Sequence, residues 1–263
     1  MQRHATKTSI AQNEPTAAIP YDRETLNELW PQLATRAGIT LSPEQHAQLS
    51  RYLDLLFEAN ARMNLTRITD RAAAEVQHVG DALTLLPLLP RQAGGFSPRL
   101  ADVGSGGGVP GIPVAIARPD FSVLLIESTK KKATFLKQTI ESLGLTNASV
   151  SEWRAEDVAH SNNREAFDIV TARAVATLDF LAEWCLPLAK KGGKFLAMKG
   201  PKVADELPAA KRPIKLAGGG EPVIHNVDLP GTEHRVIVEI PKIAKSDAKL
   251  PRPATQAKGK PLR

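Results

Sequence analysis

The chain has 263 residues and a formal net charge of +6, with 42% of residues hydrophobic and 24% charged. That balance excludes a chain disordered throughout and allows one large domain, or a main domain with a smaller companion. The apolar runs are too short to cross a bilayer, the first residues lack an apolar signal core, and a single cysteine excludes an intrachain disulfide, so a cytoplasmic protein is expected.

Residues 1–20 read as a flexible leader. Residues 21–90 read as a helical subdomain. Within it, Ser42-Pro-Glu-Gln45 predicts a capped helix start, with Ser42 as N-cap, Pro43 at the first helical position and Gln45 three residues on. Leu49, Tyr52, Leu53, Leu55 and Leu56 form the apolar stripe that follows. A further helix after Asp70 carries Val76, Val79 and Leu83. His78 and Asp81 lie about one turn apart on it and face the same side, which suits bracing against the next domain better than catalysis.

From Leu100 the pattern becomes an alternation of strands and helices. Strands are expected at 100–103, 123–126, 148–153, 167–171, 193–198 and 234–240, with a weak one at 223–227 after the Gly218-Gly-Gly220 turn. Helices are expected at 109–117, 130–143, 178–188 and 203–210. This order implies an α/β domain over 91–240 with a largely parallel sheet, and a terminal hairpin supplying an antiparallel edge. Cys185 sits in one of the helices and reads as buried filler rather than a nucleophile. The six histidines show no metal-ligand spacing, so no metal is expected. Residues 241–263 hold seven Lys or Arg and one Asp, which accounts for the whole net charge. Rich in Pro and Ala and without apolar periodicity, they are expected to be a disordered basic tail, either an RNA-attracting arm or a solubilising one.

Three segments should meet at the strand ends. The first is Leu100-Ala-Asp-Val-Gly-Ser-Gly-Gly-Gly-Val-Pro-Gly111, a strand running into a glycine-rich turn. The second ends at Glu127, an acid placed for the two hydroxyls of a ribose. The third leads into Arg154-Ala-Glu-Asp157. Gly106, Gly108 and Gly111 satisfy the G-x-G-x-x-G spacing of dinucleotide enzymes, so an NAD-dependent dehydrogenase stays open. Asp102 before the turn, and Pro110 and Pro113 after it, argue against a pyrophosphate, which seeks helix N–H groups and avoids a nearby acid. Asp102, Glu127, Glu156 and Asp157 better suit S-adenosylmethionine, which carries a ribose, an amine and a sulfonium but no phosphate. Asp102 could equally cap the turn, and the other acids could be ordinary loop residues.

Further markers lie along the chain: Asn64-Leu-Thr66 with Ile68-Thr-Asp70, His78-x-x-Asp81, Glu127-Ser-x-x-Lys131-Lys-x-x-Phe135-Leu136, Arg154-Ala-Glu156, Thr171-Ala-Arg-Ala174 and Met198-Lys-Gly200. With the 100–113 segment they resemble the ribosomal small-subunit RNA methyltransferase G family, also known as glucose-inhibited division protein B, across roughly residues 50–240. The resemblance implies a Rossmann-like class I S-adenosylmethionine-dependent methyltransferase with a seven-stranded, mostly parallel sheet. It implies methylation of N7 of one guanine in the decoding-region loop of bacterial 16S rRNA. It carries cofactor contact onto Gly104, Val109, Ala155, Glu156 and Arg173; Asp102, Gly106 and Glu127 are added from the residue reading. The chain departs from the commoner family pattern at Gln77, where a basic residue often stands, and at Thr171, where serine is common.

Guanine N7 already has a lone pair, so catalysis there needs alignment and electrostatic support rather than prior proton removal. Arg173 is the catalytic candidate, since a guanidinium could hold the cofactor carboxylate or guanine O6. Lys130, Lys131, Lys132 and Lys199 are candidate phosphate contacts, or plain solvated lysines. The expected partner is 16S rRNA or the small ribosomal subunit, with no membrane, and the default state is a monomer. A non-catalytic RNA-binding or ribosome assembly protein is the remaining alternative.

Overall fold

The computed structural model describes residues 23–262 except 92–94, 96 and 233–234. The expected leader and the expected strand start at His234 lie outside the described residues. The chain begins with α1 (Arg23–Arg36) and α2 (Pro43–Met63). The sequence signal at the start of α2 is realised as a capping box: Gln45 N–H donates to Ser42 Oγ at 3.1 Å, and the Gln45 carboxamide oxygen accepts from Ser42 N–H at 2.8 Å. Asn64 ends the helix with φ 51°, a left-handed conformation that Asn tolerates better than most residues. Next come α3 (Arg71–Ala74), a π-helical turn at Glu75–Gly80, α4 (Asp81–Leu83) and a 3₁₀ turn at Leu86–Leu88.

The α/β part follows as β1 (Arg99–Val103), α5 (Gly111–Ala117), β2 (Ser122–Ile126), α6 (Lys130–Ser142), β3 (Ala148–Ser151), α7 (Ala155–Ala159), β4 (Phe167–Arg173), α8 (Leu178–Cys185), β5 (Ala189–Lys199), α9 (Val203–Leu216), β6 (Val223–Val227), β7 (Arg235–Pro241) and α10 (Ala254–Gly259). The seven strands form one sheet in the order β3-β2-β1-β4-β5-β7-β6. Neighbours from β3 to β5 pair in parallel, while β7 pairs antiparallel with both β5 and β6. This is the mostly parallel seven-stranded sheet that the sequence implied, with the expected terminal hairpin at its edge. Strand order reverses between β1 and β4, which opens a crevice beyond their carboxyl ends.

Successive strand residues point to opposite faces, so the sheet divides two apolar clusters. Leu100, Leu125, Ile169 and Leu196 face a cluster that also holds α1, α2, α5, α6 and the π turn. Ala101, Val103, Val170, Phe195 and Ala197 face the other, against α7, α8 and α9. The N-terminal helices therefore share their core with the sheet.

The segment after β7 departs from the expected disordered tail. It folds back over the second face, burying Leu250 and Ala257. Gly218 takes φ +75°, and a Cβ there would come within 2.1 Å of the Ala244 carbonyl oxygen, so the triple-glycine turn admits the returning chain. Two of its basic residues are structural. Lys242 is buried, donates to the Leu186 and Ala217 carbonyls at 2.8 and 3.0 Å, and pairs with Glu165 at 3.2 Å. Arg252 donates through Nε and NH2, each at 2.7 Å, to the two oxygens of buried Glu183. Composition missed this because it counts charges without their partners. Arg252→Ala would leave the Glu183 carboxylate buried and unpaired. A loss of about 3–5 kcal/mol is expected, read as a lower urea midpoint; replacing both residues with apolar ones, Arg252→Met with Glu183→Leu, should cost less.

Candidate active site

The crevice at the β1/β4 switch holds two adjoining chambers. The larger, about 420 Å³, is lined by Thr66, His78, Gly104, Val109, Glu127 and Arg173 among others. The smaller, about 190 Å³, is lined by Glu127, Trp153, Ala155, Glu156, Trp184 and Ala254 among others. Gly104, Glu127, Ser128 and Val175 border both. Gly104 has φ +72°, and a Cβ on it would lie 2.6 Å from Val175 Cγ2, so only glycine lets Val175 lie across the boundary.

The glycine turn spends most of its backbone donors inside the protein, those of Gly107 and Val109 having no partner among the described residues. Gly104 and Ser105 N–H donate to the Ile126 carbonyl, Gly108 N–H to Ser105 and Ile112 N–H to Gly108. Gly106 N–H donates to Glu127 Oε2 at 3.1 Å, and Gly111 N–H to Asp102 Oδ2 at 3.1 Å. From the other side, the Tyr52 hydroxyl of α2 donates to the Gly107 carbonyl at 2.8 Å. Tyr52 read in the sequence only as part of an apolar stripe; nothing there marked it as a support of the turn.

The candidate acids have different fates. Glu127 is buried at the chamber boundary, and its Oε1 also accepts from Thr129 N–H at 2.8 Å. A carboxylate has about four acceptor positions, so two remain for a guest. Glu156 is buried in the wall of the smaller chamber and accepts from Ala254 N–H at 3.2 Å. Asp102 lines neither chamber. It is fully buried beneath α5, with Oδ1 unpartnered. It pins the turn and does not face a guest, which corrects its assignment as a cofactor contact. Burial pushes its pKa up to about 6, against the Gly111 hydrogen bond and the Arg173 charge. Asp157 is exposed on α7, outside both chambers.

Arg173 ends β4 and locks onto the N-terminal helices. Its NH1 donates to the Gln77 carbonyl at 2.7 Å and to Asp81 Oδ2 at 2.9 Å, and its NH2 lies 3.2 Å from His78 Nδ1. The π turn places the Gln77 carbonyl beside the His78 and Asp81 side chains. The expected bracing by His78 and Asp81 is thus present, with Arg173 as the strut. Burial, then the Arg173 charge, lower the His78 pKa to about 3, so the ring is neutral near pH 7. A guanidinium only donates, so Nδ1 accepts and the ring proton sits on Nε2. That proton goes to Thr66 Oγ1, 2.9 Å away. Thr66 Oγ1 also accepts from Ile68 N–H at 3.0 Å. With both lone pairs used, the hydroxyl proton is left for a guest in the larger chamber. In the sequence, Thr66 was only a family marker.

Of the lysines, Lys132 lines the larger chamber, and Lys130 and Lys131 are exposed beside it on the first turn of α6. Lys199 lines neither chamber. It pairs with Glu206 at 2.7 Å and donates to the Ala176 carbonyl at 3.0 Å, bracing the loop after β4. Thr171 keeps its hydroxyl inside the sheet, donating to the Leu196 carbonyl at 3.0 Å. Cys185 is fully buried, and burial raises its thiol pKa well above the usual value. Among the described residues, no group of three or more His, Cys, Asp or Glu side chains could hold a metal ion. No described helix is long and apolar enough to cross a membrane.

Asp102 and His78 oppose each other as the pH falls. The His78 pKa drops on folding from 6.5 to about 3, so acidification through that window removes stability. The Asp102 pKa rises on folding from 3.8 to about 6, so the native state loses stability as pH rises through that window. Asp102→Asn removes the second effect. From pH 4 to pH 8 the variant's stability relative to the parent should rise by on the order of 2 kcal/mol, and the variant should lose stability more steeply between pH 6 and 4. Urea midpoints across that range check both signs.

Comparison with known proteins bears directly on this geometry. The family model for rRNA small subunit methyltransferase G (GidB) matches residues 45–234. A Ribosomal RNA small subunit methyltransferase G of Lactobacillus delbrueckii subsp. bulgaricus is 41% identical over 237 residues, covering 89% of this chain and 99% of that one. Proteins of the same name from Pelotomaculum thermopropionicum and Chloroflexus aggregans are each 44% identical. They cover 87% and 83% of this chain, and 95% and 90% of their own lengths. The matched residues include the glycine turn, Glu127, Glu156 and the Arg173 strut, and the chain belongs to the rRNA small subunit methyltransferase G family.

Proposed function

We propose that this protein transfers a methyl group from S-adenosylmethionine to N7 of a guanine in the decoding-region loop of 16S rRNA, acting as a cytoplasmic monomer on the small subunit or its RNA. The carrying observation is the glycine turn. A dinucleotide cofactor needs free N–H groups there for its pyrophosphate, and from Gly104 to Ile112 this turn has given six of its eight to carbonyls and carboxylates, leaving only those of Gly107 and Val109. The cleft therefore suits a phosphate-free ligand, which disfavours the hydride-transfer alternative.

S-adenosylmethionine, when bound, supplies an electrophilic methyl group. The smaller chamber offers Glu127 and Glu156 as acceptors for ribose or adenine donors, and Trp153, Ala155 and Trp184 as apolar walls. Gly104, Gly106 and Val109 would edge the ligand near the chamber boundary. In the larger chamber the target guanine meets two donors. One is the Thr66 hydroxyl. The other is Arg173, whose Nε and second NH2 hydrogen have no partner among the described residues. Guanine carries its O6 acceptor next to N7, so a donor such as Thr66 favours guanine over adenine, whose equivalent group is an amine. Arg173 is the proposed catalytic group, holding guanine O6 or the cofactor carboxylate. A base paired or stacked in the loop must leave its stack to enter. Lys130, Lys131 and Lys132 stand beside the larger chamber for the flanking phosphates.

The decisive test incubates the protein with labelled S-adenosylmethionine and unmodified small subunits, then maps the methylated base. Label on any atom other than guanine N7, or none at all, refutes the proposal. Within that assay, Thr66→Val should lower kcat/KM for the RNA by about 5–150-fold, the cost of an unmade buried hydrogen bond, and Thr66→Ser should restore most of it. Cofactor affinity measured by calorimetry should stay close to the parent value in both variants.

A further inference from the structure

The C-terminal segment reaches the cleft. Ala254, the first residue of α10, lines the smaller chamber with Trp153, Ala155, Glu156 and Trp184. It lies beyond residue 234, where the family match ends. Three side chains fasten the segment that leads to it. Arg252 clasps Glu183 of α8, Arg164 donates to the Leu250 carbonyl at 2.6 Å, and His160 lies 2.8 Å from the Pro251 carbonyl. The chain emerges from this anchorage with the Ala254 N–H directed at Glu156 Oε1, 3.2 Å away. The Glu156 carboxylate makes no other hydrogen bond or ion pair to a described residue, so its second oxygen is left for a guest in the chamber.

We infer that the start of α10 closes one side of the cofactor site and that Ala254 is a positioning residue: its backbone N–H fixes the Glu156 carboxylate so that the second oxygen meets a donor of the adenosine moiety. This rests on the reading of the smaller chamber as the adenosine end of an S-adenosylmethionine site. The geometry explains why a buried carboxylate with one backbone donor keeps a defined orientation. It also gives the tail a role in cofactor affinity rather than in RNA attraction.

Ala254 can be tested without disturbing the fold. Proline is favoured at the first position of a helix; it lacks the N–H and carries its ring Cδ in that place. The preceding Pro253, with ψ 140°, already has the extended conformation that a following proline demands. Ala254→Pro should therefore keep the helix start while its Cδ, in place of the amide hydrogen, displaces the Glu156 carboxylate from the position that the N–H holds. By calorimetry with S-adenosylmethionine its Kd should rise about five- to tenfold, with kcat at saturating cofactor within about twofold of the parent. Ala254→Gly keeps the N–H and should bind like the parent. In a Glu156→Ala background, Ala254→Pro should add no further loss, as coupled residues do. Unchanged affinity in Ala254→Pro, or an equal further loss when Glu156 is already absent, would overturn the inference. If the unaltered protein itself fails to bind S-adenosylmethionine, the functional reading falls as well, so the two failures are distinct. A second readout needs no variant. Hydrogen exchange at the Ala254 amide should slow when S-adenosylmethionine is added to the unaltered chain, and an unchanged rate would count against the wall.

Discussion

One guanidinium ties the two halves of this protein together. Arg173 stands at the end of β4, and its partners are the Gln77 carbonyl, Asp81 and His78, all from the π turn and the start of α4. Asp81 is itself buried and also meets Arg235 of β7 at 3.4 Å. Charge removed from water this completely is tolerated only when it is paired and hydrogen-bonded. The junction therefore admits few arrangements. It fixes where the helical layer stands over the strand ends, and so sets the width of the larger chamber. It also sets the tautomer of His78, whose single ring proton is donated in a hydrogen bond to Thr66. The strut and the chemistry of the chamber wall are consequences of the same contact.

The carboxylates around the glycine turn divide their labour by burial. Asp102 is sealed under α5 and holds the turn from behind. Glu127 holds it from the front while still bordering both chambers. Glycines there serve less to expose backbone donors than to let the main chain bend between these acids and beneath Val175. The turn thus becomes a rigid edge for a ligand, in place of the anion cradle that its spacing alone would suggest.

Much of this was legible in the sequence because its signals are local. Strands β1 to β5 alternate with helices, and the apolar runs announce them; Ser42 and Gln45 announce the start of α2. The fate of Asp102 was readable too, since it shares the period-two face of Leu100 and must enter the same packed layer. Other features rest on contacts that no local pattern encodes. Helix α7 spans only Ala155–Ala159, too short to show a period. The continuation of α9 past residue 210 through Pro213 contradicts propensity and is carried by packing of Ile214. Lys242 and Arg252 looked like solvated tail charges, yet they reach the Leu186 carbonyl and Glu183, 56 and 69 residues away in the chain. The π turn escaped notice because His78 and Asp81 share a face in an ordinary helix as well.

That turn carries a consequence for how the helix can change. A π turn is an α-helix holding one surplus residue, and each residue advances the helix by about 100°. Excising a single residue from Glu75–Gly80 would restore regular winding and leave the flanking turns in phase, because the widened turn absorbs the surplus residue without rotating its neighbours. What would go is the bulge itself, where Trp30 donates to the Glu75 carbonyl at 2.9 Å and Arg173 takes the Gln77 carbonyl together with His78 and Asp81. The extra residue widens one turn where two neighbours take hold, and the length of this segment is constrained even where its side chains are free to vary.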